Sequence, residues 1–279
     1  MSKLAREFEY TLKDFNVLRK ITNAHTGIVV RDEKFDMFYS RLANRLRVLN
    51  LTSFKDYICF LKSPLGADET IELVNAVTTN LTFFFRENYH FENLAKIILP
   101  EIMAKNRAVG KIDIWSAGCA TGEEPYSIAM TLREAIPDHE SWDITITATD
   151  INSKVLATAA SGVYRDDLVD GLSKSRLHRF FERGKGDKAG YVRIKPEIRK
   201  LVRFSQSNLI EDWRMSRMDL IFCRNVIIYF DAKTKAALLD RYANVLKDGG
   251  YLFLGHSETL HKLTGRFKLI GKTIYQKVK

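Results

Sequence analysis

No run of about 18 apolar residues occurs in this 279-residue chain, so no membrane-spanning helix is expected. The opening residues, Met1-Ser2-Lys3-Leu4-Ala5-Arg6-Glu7, carry charges where a secretory signal needs an apolar stretch, so export is not expected either. Cysteine is scarce: Cys59, Cys119 and Cys223 are widely spaced and form no C-x-x-C pair. That speaks against a disulfide framework or a zinc site and for a reducing, cytoplasmic setting. The six histidines are scattered, and His256 and His261 lack the i, i+4 spacing of a helical metal pair, so no metal is expected. Acidic residues are in deficit, 34 against 44 basic ones, giving a formal charge of +10. The excess concentrates between Lys174 and Arg203, a field that attracts acidic partners.

The most informative stretch is Trp115-Ser116-Ala117-Gly118-Cys119-Ala120-Thr121-Gly122-Glu123-Glu124-Pro125-Tyr126-Ser127. A strand-like run, Lys111–Trp115, precedes it, and a helix-like run with Ile128, Met130, Leu132 and Ala135 follows. Strand, small-residue turn and helix make the first unit of a nucleotide-type α/β fold, in which the backbone approaches a ligand closely. The turn lacks the G-x-G-x-x-G that admits a pyrophosphate, and Glu123 and Glu124 stand where a phosphate would be repelled. S-adenosylmethionine has an adenosine, no phosphate and a cationic sulfonium, so it suits this turn better than NAD or ATP. The alternative is that the two glutamates only stabilise the first helical turn.

Before residue 80 the pattern is helical. Phe35, Phe38, Leu42, Leu46 and Leu49 recur at three- and four-residue steps and predict one buried stripe. Lys34, Arg41 and Arg45 fall together on another face of that helix. Ser53 is a plausible cap for a helix to Leu61, Ser63-Pro64-Leu65-Gly66 breaks it, and a third helix runs through Ile71, Leu73, Val74 and Val77. From about Phe91 strands and helices alternate. The strand candidates are Lys111–Ser116, Asp143–Thr149, Met218–Cys223 and Tyr251–Gly255. A helix over Ala232–Leu246 and a terminal hairpin of Phe267–Ile270 and Thr273–Lys277 complete a mainly parallel sheet covered on both faces. The glycine-rich segment Arg183–Gly190 leads into Tyr191–Lys195 and Lys200–Ser205, read as a small antiparallel excursion suited to docking.

Open α/β sheets bind ligands beyond the carboxyl ends of their strands. Four places qualify: Gly118–Glu124; Asp150, as a ribose acceptor or a cap for a helix over Ser153–Ala160; Asn208, as an adenine contact or a turn; and Cys223-Arg224-Asn225 with Tyr229. Upstream, Thr82-Phe83-Phe84-Phe85-Arg86-Glu87 reads either as an interdomain plug with Arg86 paired to Glu87 or a neighbour, or as a device sending Arg86 into the cleft.

Thr79-Asn80-Leu81-Thr82, Phe84-Phe85-Arg86-Glu87, Thr121–Ser127, Asp150-Ile151, Phe222-Cys223-Arg224-Asn225-Val226 with Tyr229-Phe230, and Gly255-His256-Ser257-Glu258 stand in one order. In that order and over nearly its whole length the chain resembles the CheR-type chemoreceptor glutamate O-methyltransferases. The resemblance implies an N-terminal helical domain over residues 1–85, a Rossmann-like S-adenosylmethionine-dependent methyltransferase domain over 91–279 and an inserted β-subdomain over 184–206. It implies methylation of glutamates on cytoplasmic receptor helices, with S-adenosylhomocysteine as product and cytoplasmic enzyme recruited to receptor arrays. The cofactor would be held by Asn80, Thr82, Arg86, Glu124, Asp150, Asn208, Leu209, Arg224 and Asn225. Arg86 and Tyr229 are expected to position the reacting groups, and Lys34, Arg41 and Arg45 to meet the acidic receptor helix. In tethering members the β-subdomain also grips a receptor C-terminal peptide. The basic charge raises a nucleic-acid methyltransferase as a rival, but Asn225-Val226-Ile227-Ile228 lacks the prolines of an N-P-P-Y-like tetrad. A non-catalytic S-adenosylmethionine-binding docking protein is the rival of another class.

Overall fold

The structure, a computed structural model, describes residues 6–136, 138, 141–260 and 263–278; His261 and residues 1–5 of the N-terminal segment lie outside them. The chain forms two compact units. One runs to Thr79 and takes in Tyr229–Thr234; the other comprises Asn80–Ile228 and Lys235–Lys279.

The first unit is helical: α1 (Leu12–Thr26), α2 (Phe35–Val48), α3 (Phe54–Leu61) and α4 (Ala67–Val77). A reciprocal capping box of Thr11 and Asp14 starts α1, and Ser53 caps α3 as expected by accepting the Asp56 N–H at 3.1 Å. The predicted stripe of α2 is buried at Phe38, Leu42 and Leu46, packed with Phe15, Leu18, Phe54, Tyr57 and Leu73; Phe35 and Leu49 sit partly buried at its ends. Ile71 of α4 faces solvent instead.

The three cations, Lys34 just before α2 and Arg41 and Arg45 within it, do not form one free face. Arg45 bonds both oxygens of the buried Glu69 (Nε to Oε1, 2.9 Å) and pairs with Glu72 at 3.2 Å, while the Tyr57 hydroxyl donates to Glu69 at 2.9 Å. Arg41 donates to the carbonyls of Ala76 and Thr78 at the end of α4, at 3.2 and 2.7 Å. Only Lys34 of the three is exposed. Helical spacing put the three on one side, but two reach far enough to satisfy acceptors on α4. Their charge reversal would therefore break the helical unit as well as any docking face.

In the second unit Tyr89–Asn93 (α5) continues through a π-helical turn, Leu94–Ile98, into Leu99–Asn106 (α6). Strand β1 (Lys111–Ala117), helix α7 (Glu123–Ala135), β2 (Asp143–Asp150) and α8 (Ser153–Ser161) follow. Then come β3 (Val163–Arg165), α9 (Lys174–Phe180), β4 (Phe181–Arg183), β5 (Tyr191–Ile194), α10 (Pro196–Arg199), β6 (Val202–Gln206) and β7 (Met218–Cys223). The chain closes with α11 (Ala232–Val245), β8 (Leu246–Leu254), β9 (Phe267–Gly271) and β10 (Ile274–Lys277). Seven strands form one sheet in the order β6-β2-β1-β7-β8-β10-β9, parallel up to β8 and antiparallel in the terminal hairpin. Strands β1 and β7 at the centre are buried along nearly their whole length because both faces are covered.

The antiparallel excursion differs from its expected outline. Tyr191–Ile194 pairs with Val163–Arg165 and Phe181–Arg183, whereas Val202–Gln206 runs parallel to β2 as an edge of the main sheet. Neighbouring alternating runs suggested a hairpin. The intervening α10 instead acts as a crossover that returns the chain to β2. No described helix is long and apolar enough to cross a membrane.

Candidate active site

The carboxyl ends of β1, β2 and β7 converge on the turn after β1. Gly118 holds φ +86, and a Cβ there would lie 2.5 Å from a Val226 methyl, so only glycine fits. The amide groups of this turn are bound internally. Gly118 and Cys119 donate to Thr149 O at 2.8 and 2.9 Å, Gly122 to Cys119 O at 3.0 Å, and Ala120 to Asp150 Oδ2 at 2.9 Å. A phosphate cradle needs such N–H groups free. This turn has committed four of them and adds acidic side chains, so it suits a phosphate-free, cationic ligand.

Asp150 is buried at the end of β2. Besides Ala120, it accepts the Asn152 N–H at Oδ1 over 2.9 Å. Asn152, not Asp150, caps α8, taking the N–H groups of Lys154 and Val155 at 3.0 and 3.3 Å. The capping alternative for Asp150 thus falls away, and its carboxylate keeps acceptor capacity for a further donor. Burial raises its carboxyl above the usual range, with the backbone amides pulling against it.

Glu123 and Glu124 part company. Glu124 accepts from Ser116 at 2.7 Å and pairs with Arg224 Nη1 at 3.1 Å. Burial pushes its carboxyl up, and Arg224 opposes that. Glu123 accepts the Thr121 hydroxyl at 2.7 Å and is likewise raised by burial.

Arg224, with its side chain 2% exposed, lies between Glu124 and Glu87, 3.4 Å from the latter, and also donates to Arg86 O. Its Nε is buried with no hydrogen-bond partner among the described residues. Glu87 also accepts from His256, ring and backbone, at 2.9 and 3.2 Å, and from Asn225 Nδ2 at 3.4 Å. Burial alone would raise Glu87; the His256 hydrogen bonds and the Arg224 charge outweigh it and hold the carboxyl at about 2. Arg86 does not pair with Glu87; it bonds a neighbour, Leu81. Arg86 is half-buried, lies 5.8 Å from the Phe83 ring and donates from Nη1 to Leu81 O at 2.8 Å, with no ion pair among the described residues. Phe84 packs edge-on against Tyr164 and Phe181, and Phe85 N–H donates to Ser127 at 2.9 Å, which fixes the segment that carries Arg86.

Phe85, Glu87, Ala120 and Asn225 all hold φ near +50 to +60 without being glycine. Such backbone costs on the order of 1–3 kcal/mol per residue and persists where the surroundings over-determine it, commonly at functional sites. Asn80 and Thr82 lie half-buried just upstream of this segment. Asn208 closes its own turn, accepting from Ile210 at 3.3 Å and donating to Glu211 at 3.0 Å, while Trp213 and Arg241 hold the carbonyls of Asn208 and Leu209 at 3.2 and 3.0 Å. Tyr229 groups with the helical unit, where its carbonyl accepts Val29 N–H at 2.7 Å.

Sequence reasoning assigned no role to Glu258, Trp213 or Arg241, and gave Glu87 only as one alternative partner of Arg86. Glu258 is buried and takes the N–H groups of Gly255, Asn225 and Ile228 at 2.5, 2.8 and 3.2 Å. The one available signal was nearness in sequence, Glu87 next to Arg86 and Glu258 three residues after Gly255, and nearness did not say which partner each carboxylate takes.

His90 is wholly buried, and its ring is held near pKa 3, by burial first and then by the Arg224 charge, against an opposing pull from Glu87. A histidine depressed in the folded state leaves the unfolded state to take the proton. Its contribution is therefore complete above about pH 6.5 and is lost as pH falls toward 3. Near pH 5 the loss is about 2 kcal/mol. Glu123, Glu124, Asp150 and Glu258 are shifted upward and act in the opposite sense. The histidine is therefore read as a difference: His90→Gln should lose about 2 kcal/mol less than wild type between pH 8 and 5 in urea denaturation. Parallel pH profiles for the two proteins would remove His90 from this account.

Residues 80–276 match the family model described as CheR methyltransferase, SAM binding domain, and residues 13–78 the one described as CheR methyltransferase, all-alpha domain. The chain is 42% identical over 272 residues to chemotaxis protein methyltransferase 2 of Pseudomonas aeruginosa, covering 97% of this chain and 95% of that one. It is 42% identical over 264 residues to the chemotaxis protein methyltransferase of Escherichia coli K12, covering 94% and 89%. With the chemotaxis protein methyltransferase of Borreliella burgdorferi the identity is 38% over 264 residues, covering 93% and 92%.

Proposed function

Because the chain belongs to the CheR methyltransferase family, a family of S-adenosylmethionine-dependent enzymes, we propose that it transfers methyl groups to glutamate side chains of chemotaxis receptors, forming methyl esters. The observation that supports this site for this cofactor is the turn after β1, its amides bonded inward and its rim acidic. In this reading Asp150 takes the ribose hydroxyls, Asn80, Thr82, Asn208, Leu209 and Asn225 line the pocket, and Arg86 holds a carboxylate. Glu124 and Arg224 contribute as a neutral pair that keeps a buried positive and negative charge beside the ligand. The reaction runs in the cytoplasm at receptor arrays, with Lys34, the exposed one of the three cations, on the side that faces the receptor helix and the small antiparallel sheet available for a receptor tail.

Bound S-adenosylmethionine supplies a methyl group on a cationic sulfur. A glutamate side chain is already ionised at neutral pH, so this chain needs no general base. The buried thiols of Cys119 and Cys223, both raised by burial, are packing groups and not nucleophiles. What the protein contributes is alignment and exclusion of water, worth up to roughly 7–11 kcal/mol when orientation is good. Arg86 and Tyr229 are assigned to that alignment.

Incubation with labelled S-adenosylmethionine and receptor-bearing membranes tests the reading, with base-labile label on the receptor as the expected result. Label on added nucleic acid, or none on any acceptor, would replace it by one of its two rivals. Asp150→Ala should weaken S-adenosylhomocysteine binding by about 1.5–3 kcal/mol in calorimetry. Unchanged affinity in the folded variant takes Asp150 out of the pocket.

A further inference from the structure

Two carboxylates, the buried Glu258 and the half-buried Glu87, grip the turn after β7 in different ways. Glu258 takes main-chain groups, the N–H of Asn225, Gly255 and Ile228 among them. Glu87 takes side chains: Arg224 Nη2 lies 3.4 Å from Oε2, and Asn225 Nδ2 lies 3.4 Å from Oε1. The ring and backbone of His256 fix the Oε1 side at 2.9 and 3.2 Å, and the Tyr89 hydroxyl donates to Oε2 at 3.2 Å. A carboxylate with this many donors has one orientation, and it transmits that orientation to whatever it binds.

Both ends of the Glu87–Asn225 contact sit on backbone in the left-handed region, φ +57 and +61. Asparagine visits that region readily and glutamate does not. The chain keeps a strained glutamate directly after Arg86, and the strain turns its carboxylate away from Arg86 and toward Arg224 and Asn225. The consequence is twofold. Arg86, left without an ion pair among the described residues, stays available for a ligand carboxylate, and the Asn225 amide is held by one N–H.

We propose that Glu87 is a positioning residue for methyl transfer: it orients the Arg224 and Asn225 side chains toward the cofactor and keeps Arg86 free of an intramolecular partner. The inference rests on the reading above that Asn225 contacts the cofactor. Glu258 carries the complementary task of holding the main chain of the same turn. Glu87 itself touches no reacting atom.

Calorimetric titration of S-adenosylhomocysteine into the full-length chain separates the possibilities. Glu87→Gln and Asn225→Ala should each weaken binding about tenfold, the effect of losing a hydrogen bond to a charged group. The double variant should be no weaker than the weaker-binding single one, because both changes remove the same arrangement. A structural role alone would lower the melting temperature and leave the affinity well below it unmoved. Unchanged affinity in Asn225→Ala would sink the cofactor-contact reading and this inference with it. A tenfold effect of Asn225→Ala beside wild-type affinity in Glu87→Gln, or full additivity in the double variant, overturns the positioning role alone. Glu87→Asp keeps the charge and serves if the neutral variant does not fold. Its shorter side chain cannot reach Arg224 and Asn225 together, so a several-fold loss is expected, and wild-type affinity would overturn the proposal.

Discussion

Arg224→Met should destabilise the protein by about 3–5 kcal/mol, the range for a buried ion-pair network that loses one member and strands the others. The stranded groups are Glu124 and Glu87, both anchored by further hydrogen bonds. Burial already pushes Glu124 upward, and Arg224 is the main force against that push. Without it Glu124 gains a proton at higher pH, so the variant's deficit should shrink as pH falls from 8 to 5. Adding Glu124→Gln to Arg224→Met should recover part of the loss for the same reason. Urea midpoints at the two pH values check all three statements. A loss below about 1 kcal/mol, the value of a solvated pair, would show that water reaches this knot.

Arg86→Ala should lower kcat by about 10²-fold, the usual cost of misplacing a reacting group or removing one charged donor at a reaction centre. Stability should hardly change, since the side chain is half-buried and bonds one backbone carbonyl. The segment that carries it is fixed by Phe84 and Phe85, whose packing does not involve the guanidinium. Arg86→Lys should restore part of the rate, because a point charge replaces a fork. Methyl transfer at wild-type kcat in a folded Arg86→Ala protein would make Arg86 a packing residue. A fall in kcat matched by an equal fall in melting stability would make it a folding residue.

These two arginines show where reading by adjacency stops. Arg86 beside Glu87 suggested a pair, yet the strained backbone at Phe85 and Glu87 sends Glu87 to Arg224, which is 137 positions away in sequence. Arg41 and Arg45 seven and eleven residues after Lys34 suggested an exposed cationic face, yet Arg45 is engaged by Glu69 and Glu72 on α4. In both cases the partner of a long charged side chain is set by what tertiary packing brings within reach.

The amino-acid sequence by itself determined several of the elements and their kinds. Apolar periodicity marks α2, capping chemistry starts α3, apolar runs mark β1, β2, β7 and the core of β8, and Gly118 admits the turn after β1. Those signals are local, because helix period, strand alternation and positive φ are properties of a few consecutive residues. The ordered motifs also carried the family, and those that follow β1, β2, β7 and β8 stand at strand ends of the same sheet. Tertiary structure alone decided that Val202–Gln206 pairs with β2 and not with Tyr191–Ile194, that Asn152 and not Asp150 caps α8, and that Glu87 and Glu258 divide the turn after β7 between them. Strand partners, cap choice and buried ion pairs depend on distances between segments far apart in the chain, and burial then fixes each pairing because an unmatched charge there is costly.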